Sequence, residues 1–364
     1  MHSSFSTMAL TSLFLLVLLS SLHVLTAVAR ATPESDSLAG QANSISPKAY
    51  LVRYWNKQIT NNLPMPPVLY FKASPLTAAS AAIFAQLIAK GDMSNHLRSF
   101  CVEAELLCFL NSSNGIAATG TDALVYNTYT GTKTDDKNAN RGTELGMFFR
   151  ESMLKSGNVI PMPHLWDSMP RRSFLPRSIS SKLPFSTSKL AELKQIFHFD
   201  ENSTMEKIMA RTLGLCEDAK IQGETKRCVA SIEDMIDFAT SILGHDIMVR
   251  STEGTEGSKQ EVLIGLIDRI EDAEVSKPIV ACHQGLFPFM VYYCHSFQNT
   301  RVYEADILDL KSRTKINRAV AICHMDTSAW NSTHEAFIAL GSGPGQIEVC
   351  HWIFGSGLVW TTVK

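Results

Sequence analysis

The chain of 364 residues lacks a surplus of either charge: 33 Lys and Arg face 35 Asp and Glu, a formal net charge of −2 at pH 7. Proteins that grip a nucleic-acid backbone carry a basic excess or a basic stripe, so nucleic acid is excluded as an expected partner. Past the first thirty residues there is no apolar run long enough to span a bilayer, and the chain downstream reads as membrane-free. No Gly-x-Ser-x-Gly elbow occurs, and no nucleotide-binding glycine loop follows a strand. Gly341-Ser342-Gly343-Pro344-Gly345 is glycine-rich, but Pro344 and its place between strands mark it as a turn. The Cys residues do not come in the closely spaced pairs of a zinc finger. No repeat of fixed period appears, which excludes a solenoid or propeller. What remains is 45% hydrophobic composition, enough for the core of one large domain or two ordinary ones.

The first thirty residues set the compartment. Met1 to Ala29 contain no Lys, Arg, Asp or Glu, and Leu10 to Val28 are nearly all Leu, Val, Phe, Ser and Thr. The run ends in Ala27-Val28-Ala29, small residues where a signal peptidase inspects the chain. This predicts a secretory signal peptide over 1–29, cleaved after Ala29; the rival reading, a retained anchor, does not account for the cleavage box. In an oxidising compartment eight cysteines, an even number, predict disulfides rather than thiolate metal sites. Their connectivity stays open, because eight cysteines allow 105 pairings. Three sequons, at Asn111, Asn202 and Asn331, become candidate glycosylation sites and hence surface markers.

Composition then divides the chain. Residues 30–110 form an N-terminal region. Its Leu63-Pro64-Met65-Pro66-Pro67 stretch must be extended, and Ser74-Pro75 is expected to open a helix reaching Lys90 before Gly91. Cys101 and Cys108, seven apart, either bridge locally or stay unpaired and buried. From Asn111 to about Arg141, Ser, Asn, Gly, Thr, Asp and Lys dominate, and 111–146 reads as a polar linker. Beyond it, Thr204 to Leu213 reads as a helix, as does the stretch after the capping box Ser231-Ile232-Glu233-Asp234. Cys216 and Cys228 bracket the turn between them. After Gln260 the pattern changes to short β-like runs, including 278–281, 289–293, 302–305, 319–322 and 357–361. Helices first and strands afterwards predict an α+β fold.

Four Cys-His steps punctuate the strand-rich part: Cys282-His283, Cys294-His295, Cys323-His324 and Cys350-His351, separated by 10, 27 and 25 residues. Each lies at the edge of an apolar run, and neighbours on a strand point to opposite faces. One step therefore cannot easily put both its residues on one ion. The expected arrangement has two layers, with cysteines bridged behind and histidines gathered in front. Four neutral imidazoles suit copper or zinc, with copper favoured by a tetragonal nitrogen set. A triad built from His324, Asp326 and Ser328 is not expected, since alternation within so few residues does not give triad geometry.

The spacing of these steps resembles the signature of the BURP domain of plant secreted proteins. Met147-Phe148-Phe149-Arg150-Glu151, Phe174-Leu175-Pro176-Arg177, Leu183-Pro184-Phe185-Ser186 and the Cys216 to Cys228 pair are similar to its N-terminal half. The resemblance implies a domain over 147–364 with a helical N-terminal half and a disulfide-linked antiparallel β-rich C-terminal half. Pro47-Lys48-Ala49-Tyr50 through Trp55-Asn56-Lys57, with Lys72-Ala73-Ser74-Pro75-Leu76, resembles the subfamily of non-catalytic polygalacturonase beta subunits. That likeness implies an apoplastic cell-wall protein that binds or modulates polygalacturonase or pectin. The long aromatic-and-glycine repeats of that subfamily are reduced here to Tyr126-Asn127-Thr128-Tyr129-Thr130-Gly131. The steps also resemble those of copper-dependent peptide cyclases with the same domain, which would make His283, His295, His324 and His351 copper ligands. No short cassette ending in Trp or Tyr repeats in this chain, and no catalytic residue is assigned.

Overall fold

The computed structural model describes residues 45–108, 144–166, 169–270 and 278–363. The expected leader, its cleavage site, the Asn111 sequon and the Tyr126–Gly131 remnant lie outside them. Among the described residues no helix is long and apolar enough to cross a membrane.

The N-terminal helices begin where local chemistry allows. Helix α1 (Pro47–Gln58) carries Pro at its first position, and the Ser46 hydroxyl accepts from the Ala49 N–H. Pro64 to Pro66 are extended as expected, but Pro67 opens a short helix α2 (Pro67–Lys72). The next helix, α3 (Ala78–Ala89), starts later than expected. Thr77, not Ser74, is its cap, accepting from the Ser80 N–H at 3.0 Å. Ser74 instead closes a turn onto the Leu76 N–H at 3.4 Å, which leaves Leu76 buried. Helix α4 (Leu97–Glu103) follows, and Cys101 is bridged to Cys108.

Past residue 144 come β1 (Phe148–Phe149) and β2 (Val159–Pro161), then helices α5 (Arg177–Ser180), α6 (Leu190–Phe197) and α7 (Thr204–Glu217); the expected polar linker lies almost wholly outside the described residues. The stretch expected to be a turn between two helices contains an edge strand, β3 (Glu224–Val229), bridged to the end of α7 by Cys216–Cys228. Helix α8 (Ile232–Leu243) has its expected cap, with Ser231 Oγ accepting from the Asp234 N–H at 3.1 Å. Eight strands then follow with one short helix: β4 (Ile247–Arg250), β5 (Glu261–Arg269), β6 (Val280–Gly285), β7 (Val291–Phe297), β8 (Thr300–Leu308), β9 (Lys315–His324), α9 (Glu335–Leu340), β10 (Val349–Trp352) and β11 (Leu358–Thr362). The fold is α+β. Gly341, expected in a turn, ends α9 in the left-handed region at φ 61°, which a side chain rarely tolerates.

The strands form two antiparallel sheets. One has the order β1-β10-β9-β8-β5-β2 and the other β3-β7-β6-β11-β4. Val302, Val320, Ile322 and Ile353 meet Ile279, Ala281 and Val359 in one buried cluster, so the sheets face each other. The outer face of the five-stranded sheet carries Cys282, Cys294, Tyr292 and Trp360, packed under α8 and α1. The outer face of the six-stranded sheet carries Cys323, Cys350 and Trp352 under Phe149, Leu154 and Met162.

The N-terminal helices belong to these same cores. Trp55 lies 6.0 Å from Trp360 between ring centroids, and Phe84, Phe100 and Leu97 share a cluster with Phe287, Phe289 and Met209. The backbone is tied across as well: the Leu107 N–H donates to Pro288 O at 2.7 Å and the Phe174 N–H to Lys72 O at 2.9 Å. Arg177 bridges Asp234 and Asp237 of α8 at 2.9 and 2.7 Å, while Tyr54 of α1 donates to Asp237.

Candidate metal centre and ligand pocket

The register of two strand pairs creates the site. Cys282 on β6 stands directly opposite Cys294 on β7, and Cys323 on β9 opposite Cys350 on β10; both pairs are disulfides. In an antiparallel ladder the next residue on each strand turns to the other face. His283 opposes Tyr293 and His295 opposes Ala281, so the two histidines are diagonal neighbours across the bridge. His324 opposes Val349 and His351 opposes Ile322, the same diagonal in the other sheet. Each sheet thus presents a bridge outward and two rings inward, at one end of the inter-sheet core.

The four rings meet there. His283 lies 5.2 Å from His295 and 6.2 Å from His351 between centroids, and His324 stacks on His351 at 5.6 Å. They line a cavity of about 340 Å³ together with Phe148, Glu224, Tyr293, Phe297, Trp330, Asn331 and His334. The walls are mainly aromatic. Trp330 lies 5.1 Å from His324 and 4.6 Å from His334. His334 is held because its Nδ1 accepts the Ala336 N–H at 3.2 Å.

Hydrogen bonds orient two of the rings. His295 Nδ1 lies 3.0 Å from Glu224 Oε1, and His351 Nδ1 lies 3.2 Å from the Trp352 carbonyl oxygen. Both partners are acceptors, so each Nδ1 donates, and a neutral ring held this way keeps its lone pair on Nε2. This second hydrogen bond, from ring N–H to carboxylate or carbonyl, is the usual support of a metal-binding histidine. His295 Nε2 and His283 Nε2 are 3.2 Å apart, about the separation of two nitrogens each roughly 2.0–2.1 Å from one ion. His324 Nδ1 is buried with no hydrogen-bond partner.

Burial disfavours charge on the rings. Desolvation, joined by the neighbouring imidazoles, holds His283 and His324 well below the ordinary histidine value. Desolvation also takes His351 to about 4. For Glu224, burial pushes the carboxyl up, but hydrogen bonds from His295, Tyr293 and the Ile221 N–H outweigh it and bring it to about 2. The site therefore combines three rings on which burial disfavours charge, the His295 ring and one buried carboxylate.

Chemically this donor set fits a borderline cation such as copper or zinc. Among the described residues, no group of three or more His, Cys, Asp or Glu side chains stands at metal-holding distances. The fit is therefore one of donor chemistry, an orphaned nitrogen and a single pair at ligand spacing. Asp326 Oδ1 accepts the Ser328 N–H at 3.0 Å, an ordinary turn.

Glu224 was not legible as a site residue. It sits in a polar stretch that reads as a turn, four residues before Cys228. Tyr293 carried a usable signal: alternation along β7 puts it on the face of His295.

Residues 147–362 match the BURP domain, and this span takes in both bridges and all four histidines of the pocket. The chain belongs to the BURP-domain family. Over 221 residues the chain is 60% identical to the tomato (Solanum lycopersicum) polygalacturonase-1 non-catalytic subunit beta, covering 61% of this chain and 35% of that protein. It is 58% identical over 224 residues to the Arabidopsis thaliana polygalacturonase 1 beta-like protein 1, covering 62% and 36%. The chain thus spans about a third of the length of these relatives. Rice (Oryza sativa subsp. japonica) BURP domain-containing protein 16 is 41% identical over 360 residues, 97% of this chain and 98% of the relative. The short BURP architecture thus has a relative of matching extent.

Proposed function

We propose that this chain is a secreted, non-catalytic cell-wall protein that binds polygalacturonase or its pectic substrate and so localises or modulates pectin breakdown. The observation that carries the reading is the 60% identity over 221 residues to a protein named as a non-catalytic polygalacturonase subunit. Four disulfides with no free cysteine among the described residues agree with an oxidising, extracellular setting. The sequons at Asn202 and Asn331 lie on exposed residues, as glycosylation requires. The test is a size-exclusion and sedimentation assay of the purified, disulfide-bonded protein with polygalacturonase and, separately, with de-esterified pectin. Co-migration with either supports the reading; free migration of the protein from both, at concentrations above 10 µM or so, counts against it.

A second reading is favoured by the pocket itself: a copper-dependent modifying activity using His283, His295, His324 and His351. Copper bound there would supply one-electron chemistry with dioxygen as oxidant. The chain's residues would provide nitrogen donors, the carboxylate behind His295, and aromatic walls that exclude water. Incubation with copper and oxygen would then lower the intact mass by two hydrogens, and an unchanged mass in replicate preparations would remove this reading.

A further inference from the structure

Glu224 is an unusual residue to find at the base of this pocket. Its side chain is 2% exposed, and its neighbours across the site are aromatic rings and imidazoles. Among the described residues the only basic side chain paired with it is His295. Its other hydrogen bonds come from the Tyr293 hydroxyl and the Ile221 N–H, both neutral. A buried carboxylate without a strong counter-charge is costly, and one maintained by neutral donors leaves its negative potential facing the cavity.

The strand register explains how it comes to be there. On edge strand β3, Lys226 opposes His295 and Glu224 opposes Phe297, so Glu224 is the diagonal neighbour of His295 on the same face. The Cys216–Cys228 bridge ties this strand to α7. The third disulfide-linked element therefore delivers a carboxylate to a cluster otherwise built by the two Cys-His strand pairs.

We infer that Glu224 is the positioning residue of this site. By holding the His295 ring with its Nε2 toward His283, and by placing a buried carboxylate behind the rings, it makes the cluster a site for a divalent cation of the copper or zinc class. An anionic group, the carboxylate of a uronate included, meets no cationic partner among these pocket residues. The inference rests on the metal reading above and adds a residue outside the Cys-His pattern to it.

The experiment uses the full disulfide-bonded chain and titrates copper(II) and zinc(II) against a competing chelator, with electron paramagnetic resonance on the copper form. Glu224→Gln keeps the shape and removes the charge. It is expected to weaken binding about ten- to a hundredfold, the usual cost of losing such a support, and to change the copper spectrum. Tyr293→Phe retains the carboxylate–imidazole bond and is expected to bind close to wild type. Glu224→Asp keeps the charge on a shorter arm and is expected to fall between. Thermal melting and a disulfide map establish that each variant is folded; should the Gln form not fold, the Asp form decides, with weaker binding supporting the inference. Wild-type affinity and a superimposable spectrum in the deciding variant overturn it while leaving the metal reading in place. A wild-type protein that binds neither ion removes the metal reading, and this inference falls with it.

Discussion

The two Cys-His strand pairs share one local design but differ in what stands around them. In the five-stranded sheet, the Cys282–Cys294 bridge is backed by α1 and α8, and His295 is steadied by a carboxylate from a third strand. In the six-stranded sheet, Cys323–Cys350 shares its outer face with Phe149 and Trp352 of the same sheet, His351 leans on a backbone carbonyl, and His324 keeps an unpartnered nitrogen. The same dipeptide at the same register thus gives one half of the pocket a charge and the other half only neutral supports. The local sequence sets the facing of the rings; the neighbouring elements set their chemistry.

The largest test of this comparison concerns the backing layers. Trp360 and Trp352 are almost wholly buried under those layers, on the outer faces that also carry the two bridges. Replacing either by Ala should cost about 3–5 kcal/mol of unfolding free energy, read by denaturant titration. Comparable losses would show that both halves depend on their outer layer, whereas a loss below about 1 kcal/mol for one would break the equivalence. Next come the bridges. Double Ala replacement of either pair should cost about 2–4 kcal/mol. With sequence separations of 27 and 12 residues, loop entropy makes Cys323–Cys350 worth roughly 0.7 kcal/mol more. A reversed order would indicate that packing around the bridges outweighs chain entropy.

A smaller effect separates the sheets by pH. Glu348, beside β10, takes a two-pronged contact from Arg150 at 3.0 and 2.8 Å, which holds its carboxyl below the usual value. A carboxyl lowered on folding stabilises fully above its unfolded value, about 4.3, and loses that contribution as pH falls through the folded value. Melting temperature should therefore drop more steeply below about pH 4 in wild type than in Glu348→Gln, by an amount worth about 0.2–1 kcal/mol. Equal slopes would count against the pair. The smallest expected change in stability comes from Thr333→Ala, within about 0.5 kcal/mol for an exposed site. It should nonetheless abolish a glycan at Asn331, on the rim of the pocket, seen as loss of a glycosidase-sensitive mass on that peptide. An unmodified Asn331 in the secreted wild type would remove this site from the glycosylated set.

Much of the architecture was legible because it follows from short-range rules. Ser231 and Asp234 announced α8, and the β-like runs around the Cys-His steps located β6 to β9 and β11, although their ends moved by a few residues. Alternation gave the facing of Cys and His. Strand β3 was not legible, because Glu224-Thr225-Lys226-Arg227 offers no apolar alternation; it is a strand only because β7 presents an open edge. Glu224 was hidden for the same reason. The helix expected from Ser74 began at Thr77 because burial of Leu76, a tertiary effect, outranked the nearer cap.

The sequence by itself pointed to extended chain for the four sulfur–imidazole steps, through the apolar runs they border, and on a strand the pleat turns the two side chains of each step to opposite faces. It also determined the mixture of helices and strands, through caps and apolar spacing. Which cysteine bridges which, that both histidine pairs turn to one cavity, and that a carboxylate waits behind His295 were decided by strand register and by the packing of two sheets. Those contacts join residues far apart in the chain, and no local preference encodes them.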